Sequence, residues 1–540
     1  MSPTPSILLY WNTVRYLRLR QIVARATFKL RRPRVDRAKA GPRSVPTGVW
    51  VPSIPRPQTI FGSEAEFLSE RRSIRQSHIW NDPSIGKLWL YNLHYFDDLL
   101  ASSALRRDEH RAFMDRWISE NPPANGNGWE PYPTSLRIVN WIKWSLEGGD
   151  IHNAAWQSLA VQTRWLAQRI EHHLQANHLF VNAKALVFAG LAASGGEARA
   201  WLEQGCRLLR KQMSEQILTD GGHFERSPMY HALILEDILD LLNAFNAWSD
   251  RASQSDVIRL RQVIPPMLDW LRAMSHPDGH PSLFNDCAFG IAPTLRDLLD
   301  YAGRLGVGQR CASRPALVDL ADSGYFSAAL EKAFLVVDAA PIGPDIQPGH
   351  AHADTLSFEL SVGEERIVVN GGTSTYTVGQ QRILERSTRS HSTLQLGEVD
   401  SSEVWGGFRV ARRARITSRS SECRPDGMVV ISASHDGYRR VQRSAVHARS
   451  WILSRGVLSV RDTMPQKGAV SRFLLHPALV QFHGTSFRTT SGVGIEFEVC
   501  GGTMCVVPSE YRPRFGQRIG TLCVEARPTE SVMTVMIRWH

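Results

Sequence analysis

The 540-residue chain lacks any run of about 18 consecutive apolar residues, the length a membrane-spanning helix needs. Cysteine is sparse: Cys206, Cys287, Cys311, Cys423, Cys500, Cys505 and Cys523 are scattered and form no CxxC pair. An odd, dispersed set argues against a disulfide framework and reads as small buried hydrophobes. Zinc-finger spacing, a helix-turn-helix pattern and aromatic RNA-binding motifs are also missing, so nucleic acid is not the expected partner. A usual signal peptide is not visible, because Ile7-Leu8-Leu9-Tyr10-Trp11 is short and Arg15 soon brings in charge.

What is present describes a globular protein of more than one domain. Charged residues make up 21% and hydrophobic ones 43%, outside the disordered range, and the length exceeds what one core supports. The net charge of +11 favours a polyanionic partner, and an acidic polysaccharide satisfies it as well as a nucleic acid does. The 16 Trp add a hint of a carbohydrate cleft, since aromatic faces stack on sugar rings, although most Trp are core residues. Arg15, Arg18, Arg20, Arg25, Lys29, Arg31, Arg32 and Arg34 concentrate charge near the N-terminus, and Arg409, Arg412, Arg413 and Arg415 form a second cluster. Residues 7–32 read as a basic amphipathic helix. The expectation is that it docks on the main domain, with peripheral contact on an anionic membrane as the alternative.

Residues 33–60 are rich in Pro and Gly and read as an extended connector. From about 62 to 310 the pattern is helical, with segments at Ala154–His173, Val181–Ala193, Ala198–Leu218, Tyr230–Trp248 and Ser255–Met274. No repeat of fixed period is visible, and antiparallel helix pairs in a curved or toroidal array would suit the spacing. Near residue 320 the character turns to strands, among them Phe334–Asp338, Leu356–Val362, Ile367–Val369, Met428–Ser434, Val457–Asp462, Gly494–Val499 and Val532–Arg538. The reading is an α+β multidomain chain: residues 1–60 as basic helix and connector, 61–318 as a helical domain, and 319–540 as an antiparallel β domain.

The densest chemical signal is Gly349-His350-Ala351-His352-Ala353-Asp354. On an extended chain His350, His352 and Asp354 would share one face. The helical half adds Trp129 to Trp141, with Arg137 about one turn inside a helix, where its planar fork could clamp a carboxylate or serve structurally. Asn177-His178 lies at a helix junction, and so does Gly222 to His231, where Ser227-Pro228 opens a helix with Tyr230 in its first turn. After the HxHxD segment come Asn370 to Tyr376 and Arg386 to Thr393, which includes His391. Two imidazoles with an oxygen ligand would suit zinc.

Together these motifs resemble the heparinase II/III family of polysaccharide lyases, in particular members associated with bacterial capsule and exopolysaccharide genes. The resemblance runs from about Leu90-Tyr91-Asn92-Leu93-His94-Tyr95 to Phe408. It implies an N-terminal incomplete (α/α) toroid joined to a C-terminal antiparallel β-sandwich, with the cleft between them. The implied reaction is β-elimination on a uronic-acid glycan. In that scheme Asn177, helped by His178, neutralises the carboxylate, Tyr230 is base or acid, and His350 is its proton-transfer partner. Arg137, Trp129 and Tyr376 are expected to contact substrate. The resemblance also implies a structural zinc with His352 and His391 as ligands, although Asn370 stands where an Asp is usual, and no organic cofactor. It implies the periplasm, whereas the lack of a visible export signal points to the cytoplasm. Two alternatives remain open at this level: a non-catalytic glycan-binding or exopolysaccharide assembly factor, and a metal-dependent hydrolase using His350, His352, Asp354 and His391.

Overall fold

The computed structural model describes residues 6–31, 33–101, 104–308, 314–464 and 467–540, so Arg32 and Cys311 lie outside the described residues. The helical half is built in two layers. Helices Pro131–Leu146, Ala176–Ala192 and Pro228–Ala247 bury 12 of 16, 16 of 17 and 18 of 20 residues. The helices that alternate with them, Asn153–Gln168, Gly196–Gln216 and Gln254–Ala273, bury only 8 of 16, 7 of 21 and 8 of 20. The first set therefore forms an inner layer buried on all sides, and the second wraps it with one buried stripe per helix. The inner helices touch one another and each packs against an outer neighbour. Buried ion pairs tie the inner layer together. Lys184 Nζ lies 2.6 Å from Asp237 and 2.7 Å from Asp240, and Lys143 Nζ lies 2.9 Å from Asp240.

Local sequence explains where these helices begin. Ser227 caps Pro228–Ala247 by accepting from Tyr230 N–H, and Pro228 occupies the first turn, where no amide hydrogen is needed. The turn before it requires Gly221, which has φ of 85° and whose added Cβ would lie 2.2 Å from Pro266 O. Two expectations change. The basic N-terminal segment is two helices, Ile7–Val14 and Leu19–Leu30, because the chain turns at 15–18 and Gln21 Oε1 accepts from Arg18 N–H at 3.0 Å. The stretch from 62 onward is not helical at once, since Ile60–Phe61, Glu64–Phe67 and Glu70–Ser73 pair as a small antiparallel sheet.

The helical part ends at Arg304 and the strands of the β part begin at Leu317. Among the described residues the β part contains antiparallel sheets of five, eight and four strands and a two-stranded ribbon of Val404–Trp405 with Arg409–Val410. The five-stranded sheet runs in sequence order from Leu317–Leu320 to Glu365–Val368. Phe326, Leu335 and Phe358 on it, Trp451, Val460 and Val535 on the eight-stranded sheet, and Phe473 and Val524 on the four-stranded sheet share one core. This is a layered sandwich. The two halves meet through a smaller apolar cluster in which Met229, Tyr230, Leu283 and Cys287 face Val369, Leu474, Tyr511 and Phe515. Among the described residues no helix is long and apolar enough to cross a membrane.

Candidate active site

Where the halves meet, the loop after helix Gln254–Ala273 carries Asn285 and Asp286 into the β part. Asn285 adopts φ of 57°, a conformation Asn tolerates better than most residues. Its side chain donates to Arg226 O at 2.9 Å and accepts from His352 N–H at 3.1 Å. Asp286 is thereby held at the centre of a buried cluster. One carboxylate oxygen pairs with His350 Nδ1 at 2.9 Å and the other with His352 Nε2 at 2.8 Å. Arg382, on the short helix Gln380–Arg386, grips both oxygens at 2.5 and 2.6 Å. Burial opposes the charge on Asp286, but Arg382 and the two imidazoles outweigh it and hold this carboxyl well below the usual range. An ionised carboxylate only accepts, so His350 carries a hydrogen on Nδ1, and the nitrogen left to face the cleft is Nε2.

The His350 ring lies over Tyr230, with centroids 3.9 Å apart and planes 31° from parallel. Its Nε2 is 3.5 Å from Glu225 Oε2. Tyr230 and Tyr376 share a hydroxyl–hydroxyl hydrogen bond of 3.1 Å. Burial first, then the neighbouring Tyr376, Tyr132 and Asp286, push the Tyr230 hydroxyl well above its ordinary value of 10.0, so it is a phenol. Glu225 Oε1 accepts from both the backbone and the side-chain N–H of Asn177, each at 3.1 Å, at the start of helix Ala176–Ala192. The aligned dipoles at a helix N-terminus favour an anion there. Next to it, His178 is the one residue of that helix that is not buried. It pairs with Glu171 at 3.2 Å and lies over Tyr132 at 4.5 Å. Burial favours neutral His178, but the Glu171 carboxylate outweighs it and raises the imidazole above 6.5.

The structure thus brings Asn177, His178, Tyr230, His350 and Tyr376 together across the junction of the two halves. It places Arg137 and Trp129 elsewhere. Arg137 is fully buried, donating to Gln162 Oε1 at 2.9 Å and Gly128 O at 2.8 Å, with its guanidinium 3.8 Å from the centre of Trp117. Trp129 is buried against Trp117 and donates to Asn121 O. Neither side chain reaches the cleft. The HxHxD segment is not a strand end either, because the strand begins only at Phe358. His350 and His352 converge on Asp286 from irregular backbone, while Asp354 turns away to accept from Asn285 N–H at 3.3 Å.

The residues expected to hold zinc were tested on the same geometry. His352 Nδ1 and His391 Nε2 are buried without a hydrogen-bond partner, and the two rings are 5.2 Å apart. The third member is a neutral amide, and Asn370 Oδ1 already pairs with His391 Nδ1 at 2.6 Å. Among the described residues no group of three or more His, Cys, Asp or Glu side chains is placed to hold a metal ion. Two imidazoles and an engaged amide do not make a zinc site of ordinary composition. Sequence reading missed Asp286 and Arg382, which set the state of His350, and it gave Glu225 no role. The only local signal was the Asn285-Asp286 pair, which is common in turns.

The chain is thus a helical double layer joined to layered antiparallel sheets, with Tyr230 and His350 facing each other at the seam. Two family models match: Heparinase II/III N-terminus over residues 111–299 and Heparinase II/III-like, C-terminal over residues 312–539. The chain belongs to the heparinase II/III-like family. It is 26% identical over 250 residues to the heparin-sulfate lyase of Pedobacter heparinus, a match covering 41% of this chain and 36% of that one. It is 24% identical over 308 residues to FtsZ-localized protein C of Caulobacter vibrioides, covering 55% of this chain and 49% of that one. These matches therefore span between about a third and a half of the curated relatives' lengths. Among solved structures, heparinase III superposes with a TM-score of 0.65 at 15% identity, covering 99% of this chain and 86% of that one. Heparan sulfate lyase HepC from Pedobacter heparinus gives 0.56 at 16% identity, covering 96% and 87%. At these identities the likeness shows the fold, and the fold agrees with the sequence expectation of a helical toroid-type domain followed by a β-sandwich.

Proposed function

We propose that this protein is a polysaccharide lyase that cleaves a uronic-acid-containing chain by β-elimination. The observation that carries the reading is the stacked Tyr230–His350 pair, with His350 locked on ionised Asp286. With Nδ1–H committed to Asp286, the neutral imidazole offers its Nε2 lone pair, and His350 is assigned as the base that takes the C5 proton. Tyr230, kept protonated, is assigned as the acid that returns a proton to the departing glycosidic oxygen. The C5 carbanion forms only if the adjacent carboxylate is neutralised. His178, whose cation Glu171 favours, and the Asn177 amide at the helix start supply that neutralisation. Tyr132, Tyr376 and Phe408 give the cleft aromatic faces for sugar rings. No step is routed through a metal; the hydrolase alternative needs His350, His352, Asp354 and His391 gathered on one ion, and among the described residues no group of three or more such side chains is placed to hold one.

A panel of polyuronates and glycosaminoglycans tests this directly. A lyase generates the ultraviolet absorbance of an unsaturated uronate as new chain ends appear, and Tyr230→Phe or His350→Ala lowers the rate by about 100-fold or more. New reducing ends without that absorbance would point to a hydrolase. A second reading, a glycan-binding or assembly factor without turnover, draws on the near-closure of the site, where Tyr230 is 8% and Asn177 4% exposed. It requires retained affinity for the polymer with no products from any substrate.

A further inference from the structure

We propose that helices Ile7–Val14 and Leu19–Leu30 form a docking surface for an anionic lipid bilayer. The residues that these two helices bury on the protein are polar while their large aliphatic side chains stay outside, the reverse of what water favours for a surface helix. Asn12 and Gln21 are buried, and Gln21 Nε2 donates to Ile346 O at 3.1 Å. Arg18 and Arg20 both pair with Glu215 of the helical half, the latter at 2.8 Å. Trp405 of the β half donates to Thr13 Oγ1 at 3.0 Å and meets Tyr10 edge-on at 5.0 Å. Arg413 lies 3.8 Å over Tyr16, and Arg169 lies 3.6 Å over Phe28. The hairpin is thus fastened to both halves by polar and aromatic contacts.

Its outer face is apolar. Of the 20 large apolar side chains exposed among the described residues, nine fall between Ile7 and Leu30, including Ile7 at 91%, Leu19 at 74% and Leu30 at 82%. Over the same stretch, residues 6–31 hold Arg15, Arg18, Arg20, Arg25, Lys29 and Arg31 and no acidic residue. Exposed aliphatic and tryptophan side chains beside cations alone match a layer of acyl chains under negative headgroups. A second copy of the chain fits less well, because a two-fold contact would set the same cationic patch against itself. A soluble polyanion would use the arginines and leave the aliphatic side chains without a partner. The hairpin bridges both halves beside the loop that carries Ile346 and His350, so docking would hold the cleft at the lipid surface.

Co-sedimentation of the full chain with vesicles decides the matter. Binding is expected to mixed phosphatidylcholine–phosphatidylglycerol vesicles, much less to phosphatidylcholine alone, and it should weaken as salt screens the headgroups. A variant carrying Ile7→Ser, Trp11→Ser, Leu19→Ser and Val23→Ser should lose about tenfold or more in partitioning. These side chains are exposed, so its thermal unfolding should match the parent. Leu105→Ser, at an exposed apolar site elsewhere, should bind normally. No binding to the anionic vesicles, or equal binding by the fourfold variant, would overturn the proposal. So would a lipid-free dimer that the fourfold variant dissolves, because the face would then be an interface between copies.

Discussion

A carboxylate that accepts from two imidazoles and a guanidinium at once, as Asp286 does, fixes both the charge and the tautomer of its neighbours. His350 owes the orientation of its Nε2 to that contact, and Tyr230 owes its proton to burial. His178 is tuned in the opposite sense, since Glu171 favours its cation. This gives a pH test. Glu171→Gln removes the group that raises His178, so the imidazole should lose its proton at lower pH. The alkaline limb of the kcat/KM profile is then expected to move to lower pH, with the acid limb unmoved. An unchanged alkaline limb would remove His178 from the neutralising role. Of these residues, His178, Tyr230 and His350 were legible in the sequence because they sit in dense polar motifs at helix junctions. Asp286 and Arg382 were not, because they lie 96 positions apart and only the folded chain makes them one group. Arg137 misled for a physical reason: a buried guanidinium satisfied by carbonyls and a Trp face carries the same local sequence as one that clamps a substrate.

At the scale of elements, the inner helices are the platform for this chemistry. Helix Ala176–Ala192 presents Asn177 and His178, and helix Pro228–Ala247 presents Tyr230, both from their first turns. Lys184 on the first helix pairs with Asp237 and Asp240 on the second and ties the two together. Removing one partner of a buried pair leaves a charge without compensation and costs about 3–5 kcal/mol. Lys184→Met is therefore expected to lower unfolding stability in urea by that order, while the folded fraction keeps its turnover because the partners of Lys184 are Asp237 and Asp240, not Tyr230 or His350. A stability loss below about 1 kcal/mol would show that the network is dispensable. The existence of these helices was readable from their apolar content, and the segments read from sequence at Ala198–Leu218, Tyr230–Trp248 and Ser255–Met274 end within two residues of the observed ones. Helix Ala176–Ala192 starts five residues earlier than read, because polar Asn177 and His178 looked like a junction and instead form its first turn. The HxHxD segment failed as a strand for the complementary reason. Alternation predicts an extended chain, but contacts with the Asn285–Asp286 loop set its backbone.

Across the whole molecule, burial also sets how stability responds to acid. His94 and His231 are held neutral by burial, each pushed down to about 3. Their folded values lie below the ordinary 6.5, so the unfolded chain takes up these protons first as pH falls. Stability from them is complete above 6.5 and is lost progressively toward pH 3. Asp237, pushed up by burial to about 6, acts in the opposite sense below pH 6. At about 1.4 kcal/mol per pH unit, these three groups together cost roughly 3 kcal/mol at pH 5, and burial lowers His352 and His173 in the same sense as His94 and His231. The thermal midpoint should therefore be lower at pH 5 than at pH 7, and an equal or higher midpoint would contradict this. The division into a helical half and a sheet half was plain in the sequence, since the hydrophobic period changes near residue 320. The seam between them was not, because the Tyr230–His350 contact joins residues 120 positions apart. That contact is where elimination is assigned, and water is not a reactant in it. The most direct measurement is therefore mass analysis of products made in ¹⁸O-labelled water. Elimination predicts unsaturated, unlabelled non-reducing ends, and saturated non-reducing ends with label taken up at the new reducing end would contradict it.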